Sequence, residues 1–158
     1  MTSTEPAPAS PARPPDADAA ALFDAVAAEH GVIYGYGLVS AHSTPDENDL
    51  VAAAMREHRL RREAALEMLA ARGVDPPLPA AGYQLPMQVD NPTDAANLAV
   101  RMEEDCAVAW RAVLEQATTT EQRTFAVTAL SETAVTAARW SKVLGVWPIT
   151  VAFPGGSE

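Results

Sequence analysis

Three glutamates interrupt stripes of apolar residues. Leu22, Val26, Glu29, Ile33, Tyr36 and Ser40 recur in steps of four and three, the period of one helix face, and Glu29 is the charge on it. Ala96, Ala99, Glu103, Cys106 or Ala107, Trp110, Val113 or Leu114 and Ala117 make a second stripe, broken by Glu103. A third runs Phe125, Thr128 or Ala129, Glu132, Val135 or Thr136, Arg139 and Val143. A fourth segment offers two faces: Leu50, Ala53 or Ala54, Glu57, Leu60 or Arg61 and Ala64, or else Val51, Met55, His58, Arg62, Ala65 and Leu69. Either face turns a potential ligand inward, Glu57 or His58.

Each of these groups lies near the middle of its segment, so four helices in one bundle would bring them to one layer. Ionised carboxylates in a core are costly unless metal ions, protons or cations compensate them. Two chemistries meet that requirement. One is a pair of iron or manganese ions held by Glu29, His58, Glu103 and Glu132, with Glu57 as the alternative on the second helix. Bundles of that kind use one Glu from each of two helices and Glu-x-x-His from the other two, because residues at i and i+3 share a face. Here the corresponding pairs read Met55-x-x-His58 and Glu132-x-x-Val135, one glutamate and one histidine short. The other chemistry is a buried ion-pair layer in which Arg61 and Arg139 supply the positive charge.

The elements that must position these groups are marked by proline and capping residues. Pro6, Pro8, Pro11, Pro14 and Pro15 sit among Ala, Ser and Thr, so residues 1–16 are expected to be a disordered tail ahead of one domain over 17–158. A helix from Asp16 or Asp18 to about His42 follows. Thr44-Pro45-Asp46-Glu47 opens a second helix that Gly73 closes. Asn91-Pro92-Thr93-Asp94 starts a third to about Ala117, and Thr118 with Glu121 caps a fourth that ends at Gly145. The first and third joints are short and force antiparallel hairpins. Residues 73–91 are long enough to traverse the bundle, which makes helices two and three parallel, with a floppy loop in an up-down bundle as the alternative. The closing WPITVAFPGGSE is expected to dock on the bundle end.

Composition narrows the function classes. Alanine occupies 33 of 158 positions and aromatics 6%, which favours close-packed helices over strands. A net charge of −10 opposes a nucleic-acid backbone or an anionic membrane surface. The single Cys106 permits no internal disulfide or thiolate zinc cluster, and with no signal-peptide pattern the expected location is the cytoplasm. His30 and His42 read as surface or helix-end residues, off the Glu29 stripe. Gly31 and Gly35, one turn apart, call for close approach of another helix or of a second subunit, the latter giving a homodimer through that face.

The segments AEHGVIYGYG, REHRLRREAALEMLAARG, MEEDCAVAWRAVL, ALSETAVTAARW and the closing AFPG resemble the ferritin-like domain family of unknown function found widely in actinobacteria. The resemblance covers about residues 17–155. It implies an all-α, ferritin-like four-helix bundle with one long crossover between helices two and three, distantly related to ferritins, bacterioferritins and rubrerythrins. By motif position Glu29 and Glu103 correspond to the first- and third-helix glutamates of those di-iron relatives, and Glu132 to the glutamate of the second Glu-x-x-His. His58 matches a family histidine, while Met55 and Val135 replace a glutamate and a histidine. Two function classes follow. The preferred one is a bundle without cofactor that binds an unknown protein or small molecule; the alternative is a di-metal oxidoreductase or iron-storage protein.

Overall fold

The computed structural model describes residues 8–156, which are all-helical with no strand among them. The helices are α1 (Ala17–His42), α2 (Asn48–Ala71), α3 (Pro92–Gln116) and α4 (Thr120–Leu144). The starts of α1, α3 and α4 are capped by side chains. Asp16 accepts from the Ala19 N–H at 3.0 Å, and Asn91 accepts from the Asp94 N–H at 2.9 Å ahead of Pro92. The Thr44 N–H donates to Glu47 at 2.8 Å, closing a 3-10 turn, Pro45–Glu47, that leads into α2. The cap of α4 is Thr119, which accepts from the Gln122 N–H at 3.2 Å, not the expected Thr118. Gly145 ends α4 in the left-handed conformation, φ 68°, which a side chain would disfavour.

Thr118 is freed for a different task. Asp18 in the first turn of α1 accepts from the Thr118 N–H at 3.1 Å and pairs with Arg72, the C-cap of α2, at 3.0 Å. Arg72 also bonds Gln122 in the first turn of α4. The beginnings of α1 and α4 therefore meet the ends of α2 and α3 in one polar clasp. It follows that α1 is antiparallel to both α2 and α3, and that α2 and α3 are parallel. The connection between them is the expected crossover, and its path can be followed along α1. The Pro77 carbonyl accepts from His30 at 3.2 Å, the Tyr83 ring lies over Gly31, and Val89 is buried with Val39 and Val51 at the far end. His30 is thus covered, not a surface residue. His42 lies at the helix end as expected and donates to the Leu38 carbonyl at 3.1 Å.

The core falls into two apolar halves. Val32, Tyr36, Val39, Val51, Leu98 and Trp140 anchor one, while Leu22, Val26, Leu69, Trp110, Val113 and Ala129 anchor the other. The close approach expected at the glycines is made within the chain. A Cβ on Gly35 would overlap the Met102 sulfur of α3, and one on Gly31 would touch Tyr83 at 3.6 Å.

Two placements differ from expectation. The buried face of α4 is Gln122, Ala126, Ala129, Thr133, Thr136 and Trp140, one residue away from the predicted stripe, and Phe125, Val135 and Val143 turn outward or sideways. Tight contact of α4 with α3 sets this rotation. The C-terminal segment docks along the flank of α3 and α4, not on the bundle end, because Gly155 sits directly against the Ala107 carbonyl. Residues 8–16 run without helix; Arg13 pairs with Asp24 at 2.7 Å and Ser10 accepts from the Leu78 N–H at 3.1 Å. The first part of the expected tail, residues 1–7, lies outside the described residues.

Spin labels at positions 73 and 91 should report a separation near the length of a 25-residue helix, about 37 Å at ~1.5 Å per residue. A distance of about 15 Å or less would show a local loop in place of the crossover. The glycines give a second check by urea unfolding. Gly35→Leu should destabilise by about 1–3 kcal/mol through overpacking against Met102, whereas Gly37→Ala, which meets nothing within 4 Å, should stabilise by about 0.5–1 kcal/mol.

Candidate functional site

Between the two apolar halves lies a layer of charge. Glu29 of α1 and Glu103 of α3 are fully buried, and His58 and Arg61 of α2 are nearly so. His58 lies between the carboxylates, Nδ1 at 2.6 Å from Glu29 Oε2 and Nε2 at 3.0 Å from Glu103 Oε1. Only a doubly protonated imidazole donates to both. Arg61 Nη1 donates to Glu29 Oε1 at 3.3 Å and to Thr133 Oγ1 at 3.1 Å, and Nη2 donates to Glu132 Oε2 at 3.1 Å. Indole and phenol groups complete the shell: Trp110 Nε1 donates to Glu29 Oε1 at 2.7 Å, Tyr36 Oη to Glu103 Oε1 at 2.5 Å, and Trp140 Nε1 to Tyr36 Oη at 2.9 Å. Cys106 Sγ lies 3.9 Å from Glu29 Oε1.

The electrostatics follow from the pairing. Burial alone would push the His58 imidazole down, but hydrogen bonds and charge from Glu103 and Glu29 outweigh it and hold the group up at about 9. Burial would raise the Glu29 carboxyl; the His58 and Arg61 charges and the Trp110 N–H overcome this and lower it. The Tyr36 phenol and the Cys106 thiol are both pushed well up, first by burial and then by the neighbouring carboxylates. At neutral pH the buried layer holds two carboxylates against an imidazolium and a guanidinium, so its charges balance. Glu103 Oε2 and Arg61 Nε are left buried without a hydrogen-bond partner.

Of the residues singled out in the sequence, Glu29, His58, Glu103 and Arg61 share the layer. Glu132 reaches it only through Arg61, with its own side chain 51% exposed. Glu57 is half-buried and lines an outer groove between α2 and α4. Arg139 is exposed and is no core cation, because the rotation of α4 places Thr136 and Trp140 inward in its stead. The same rotation leaves Val135 49% exposed. On α2 the His58 face is the buried one, modified by Ala54 and Arg61. Sequence reasoning missed Trp110, Trp140 and Thr133 as partners. The readable signal was that a buried indole N–H needs an acceptor, and Trp110 lies two turns along α3 from Glu103.

The donor set accommodates metal poorly. Glu29, His58 and Cys106 each place one ligand atom within 4.8 Å of the others. An ion there would have to displace the protons of His58 and Cys106 and sit beside the Arg61 guanidinium, which cannot give up its charge.

A family model described as "Domain of unknown function (DUF4439)" matches residues 21–158. The chain is also similar to a conserved hypothetical protein from Mycobacterium tuberculosis known from a crystal structure, at 63% identity over 87% of this chain and 97% of that one, with a TM-score of 0.81. No curated protein matches it. None of the helices is long and apolar enough to cross a membrane among the described residues.

Two measurements probe the layer. His58 is about 9 in the folded chain against an ordinary 6.5, so its stabilisation is complete below pH 6.5, declines from there and is lost as pH rises through about 9. Urea unfolding should therefore show stability falling by about 3 kcal/mol over that interval, and His58→Gln should flatten the decline. Arg61→Met, which leaves Glu29 and Glu103 with His58 alone to balance them, should cost about 3–5 kcal/mol, whereas the exposed Arg139→Ala should stay within about 0.5 kcal/mol of wild type.

Proposed function

The chain belongs to the DUF4439 family, and we propose that it is a ferritin-like bundle whose charge layer works without metal and whose task is to bind a partner or small molecule. The observation that carries this reading is His58. One imidazolium joins buried carboxylates from α1 and α3, and the Arg61 guanidinium completes the neutralisation. In a carboxylate bundle with two metals, the ions supply that positive charge and the histidines ligate through an unprotonated nitrogen. Here both nitrogens of His58 are engaged by carboxylates.

Two further features support the reading. The crossover that makes α2 and α3 parallel is the connectivity of ferritin-like bundles. The positions that would complete a two-metal ligand set carry no ligands: Met55 packs against the apolar core, and Val135 faces outward. The donors left for an ion are too few for a redox-active pair, so an activity of binding fits the chain better than oxygen or iron chemistry. No membrane or nucleic-acid partner is proposed, since the chain carries a net charge of −10.

The test is metal analysis of protein purified without chelator, followed by melting in the presence of manganous or ferrous ions. The expected result is substoichiometric metal and an unchanged Tm. Near-stoichiometric iron or manganese, or a Tm rise on adding either ion that Glu103→Ala removes, would overturn the metal-free reading.

A further inference from the structure

Along one flank α3 and α4 form a shallow surface groove, and the segment after Gly145 folds over it. A cavity of about 380 Å³ remains beneath it. That is within the roughly 300–1,000 Å³ of small-molecule sites. Short side chains create the space: Ala107 on α3 and Ala134, Ala137 and Ala138 on α4 form the floor. Ile149, Val151 and Phe153 form the cover. The cover is seated by Gly155, whose φ of 71° and contact with the Ala107 backbone leave no room for a Cβ. This cavity is separate from the charge layer but shares one wall residue with it, Glu103.

The chemistry of the lining selects a ligand. Among the described residues its ionisable lining groups are Glu103 and Glu104; Glu103 is already paired with His58, and the Arg111 side chain lies against Gly156 at the cavity edge. Glu104 is exposed at the rim. Glu103 is fully covered at the wall; its Oε1 is taken by Tyr36 and His58, and its Oε2 is buried with no partner. An apolar trough whose accessible carboxylate is Glu104, with the unpartnered Oε2 of Glu103 buried behind the wall, favours a positive group attached to an apolar body. The chain's own net charge of −10 attracts such a molecule from a distance.

We infer that this cavity binds a small organic amine, with the ammonium on Glu104 at the rim and the apolar body along the alanine floor beneath Ile149 and Phe153. The assignment rests on the binding reading given above and names the ligand class for it. Acids are disfavoured by Glu104. Neutral analogues keep the apolar contact and lose the charge.

Calorimetric titration with 2-phenylethylamine, 2-phenylethanol and phenylacetate tests the assignment. The amine should bind, the alcohol should bind about tenfold more weakly, and the acid should give no signal. Glu104→Gln should weaken the amine roughly three- to tenfold and leave the alcohol unchanged. Ala138→Leu, which fills the floor without touching the charge layer, should remove both, while circular dichroism reports whether the variant is folded. No amine binding at millimolar concentration, equal binding of amine and alcohol, or full binding by a folded Ala138→Leu variant would overturn the assignment. Manganese titration of the same samples keeps the two readings apart. Metal uptake sinks the metal-free reading, whereas silence of the amine series sinks only the ligand assignment.

Discussion

Two carboxylates buried in the middle of a helical bundle impose a requirement that the surrounding structure has to meet. Glu29 and Glu103 are sealed from solvent, and an uncompensated ion in such a place would cost several times the stability margin that a single contact supplies. The chain answers with one helix turn of α2, where His58 and Arg61 stand three residues apart on the same face. His58 serves as a protonated bridge, and Arg61 reaches past it to α4. Trp110, Tyr36 and Trp140 then satisfy lone pairs that two cations alone cannot fill. The layer fixes how three helices sit in depth, since sliding any of them by a turn would part the charges.

That constraint fits the connectivity. α1 and α3 contribute the carboxylates and α2 the cations, so α1 must touch both α2 and α3 along its length. Parallel α2 and α3 flanking an antiparallel α1 need a connection that travels the whole bundle, and the crossover provides it along the edge of α1. Gly31 and Gly35 are explained by the same geometry. One admits the crossover's Tyr83 and the other admits Met102 of α3. The clasp of Asp18, Arg72, Thr118 and Gln122 holds the other end.

Much of this was legible in the residues. The helix starts at Asp16, Thr44 and Asn91, the crossover, and the inward faces of α1 and α3 all follow from capping chemistry and period. Glu29, Glu103 and one of the two candidates on α2 were identified for the same reason. The illegible part was α4. Its large apolar residues, Phe125, Val135 and Val143, suggest one face, whereas the buried face is made of Ala126, Ala129, Thr133, Thr136 and Trp140. Alanine and threonine give almost no periodic signal, and what selects them is close packing on α3, a contact that sequence period does not encode. The choice between His58 and Glu57 was illegible for a related reason, because both faces of α2 carry similar apolar content and only the facing carboxylates decide.

The rotation of α4 ties the charge layer to the cavity. At about 100° per residue, turning α4 by one position would bring Glu132 and Val135 toward the layer and carry Arg139 inward. That arrangement would resemble the ligand-bearing helix of a two-metal bundle, with a carboxylate facing Glu29 and Glu103. It would also carry Ala134, Ala137 and Ala138 away from α3 and dissolve the trough they floor. With α4 in its present setting, Thr133 meets Arg61, Glu132 remains at the rim, and the alanines face the C-terminal cover. The same placement of one helix that keeps Glu132 at the rim of the charge layer therefore builds the wall of the flank cavity, and Glu103 lies where the two meet.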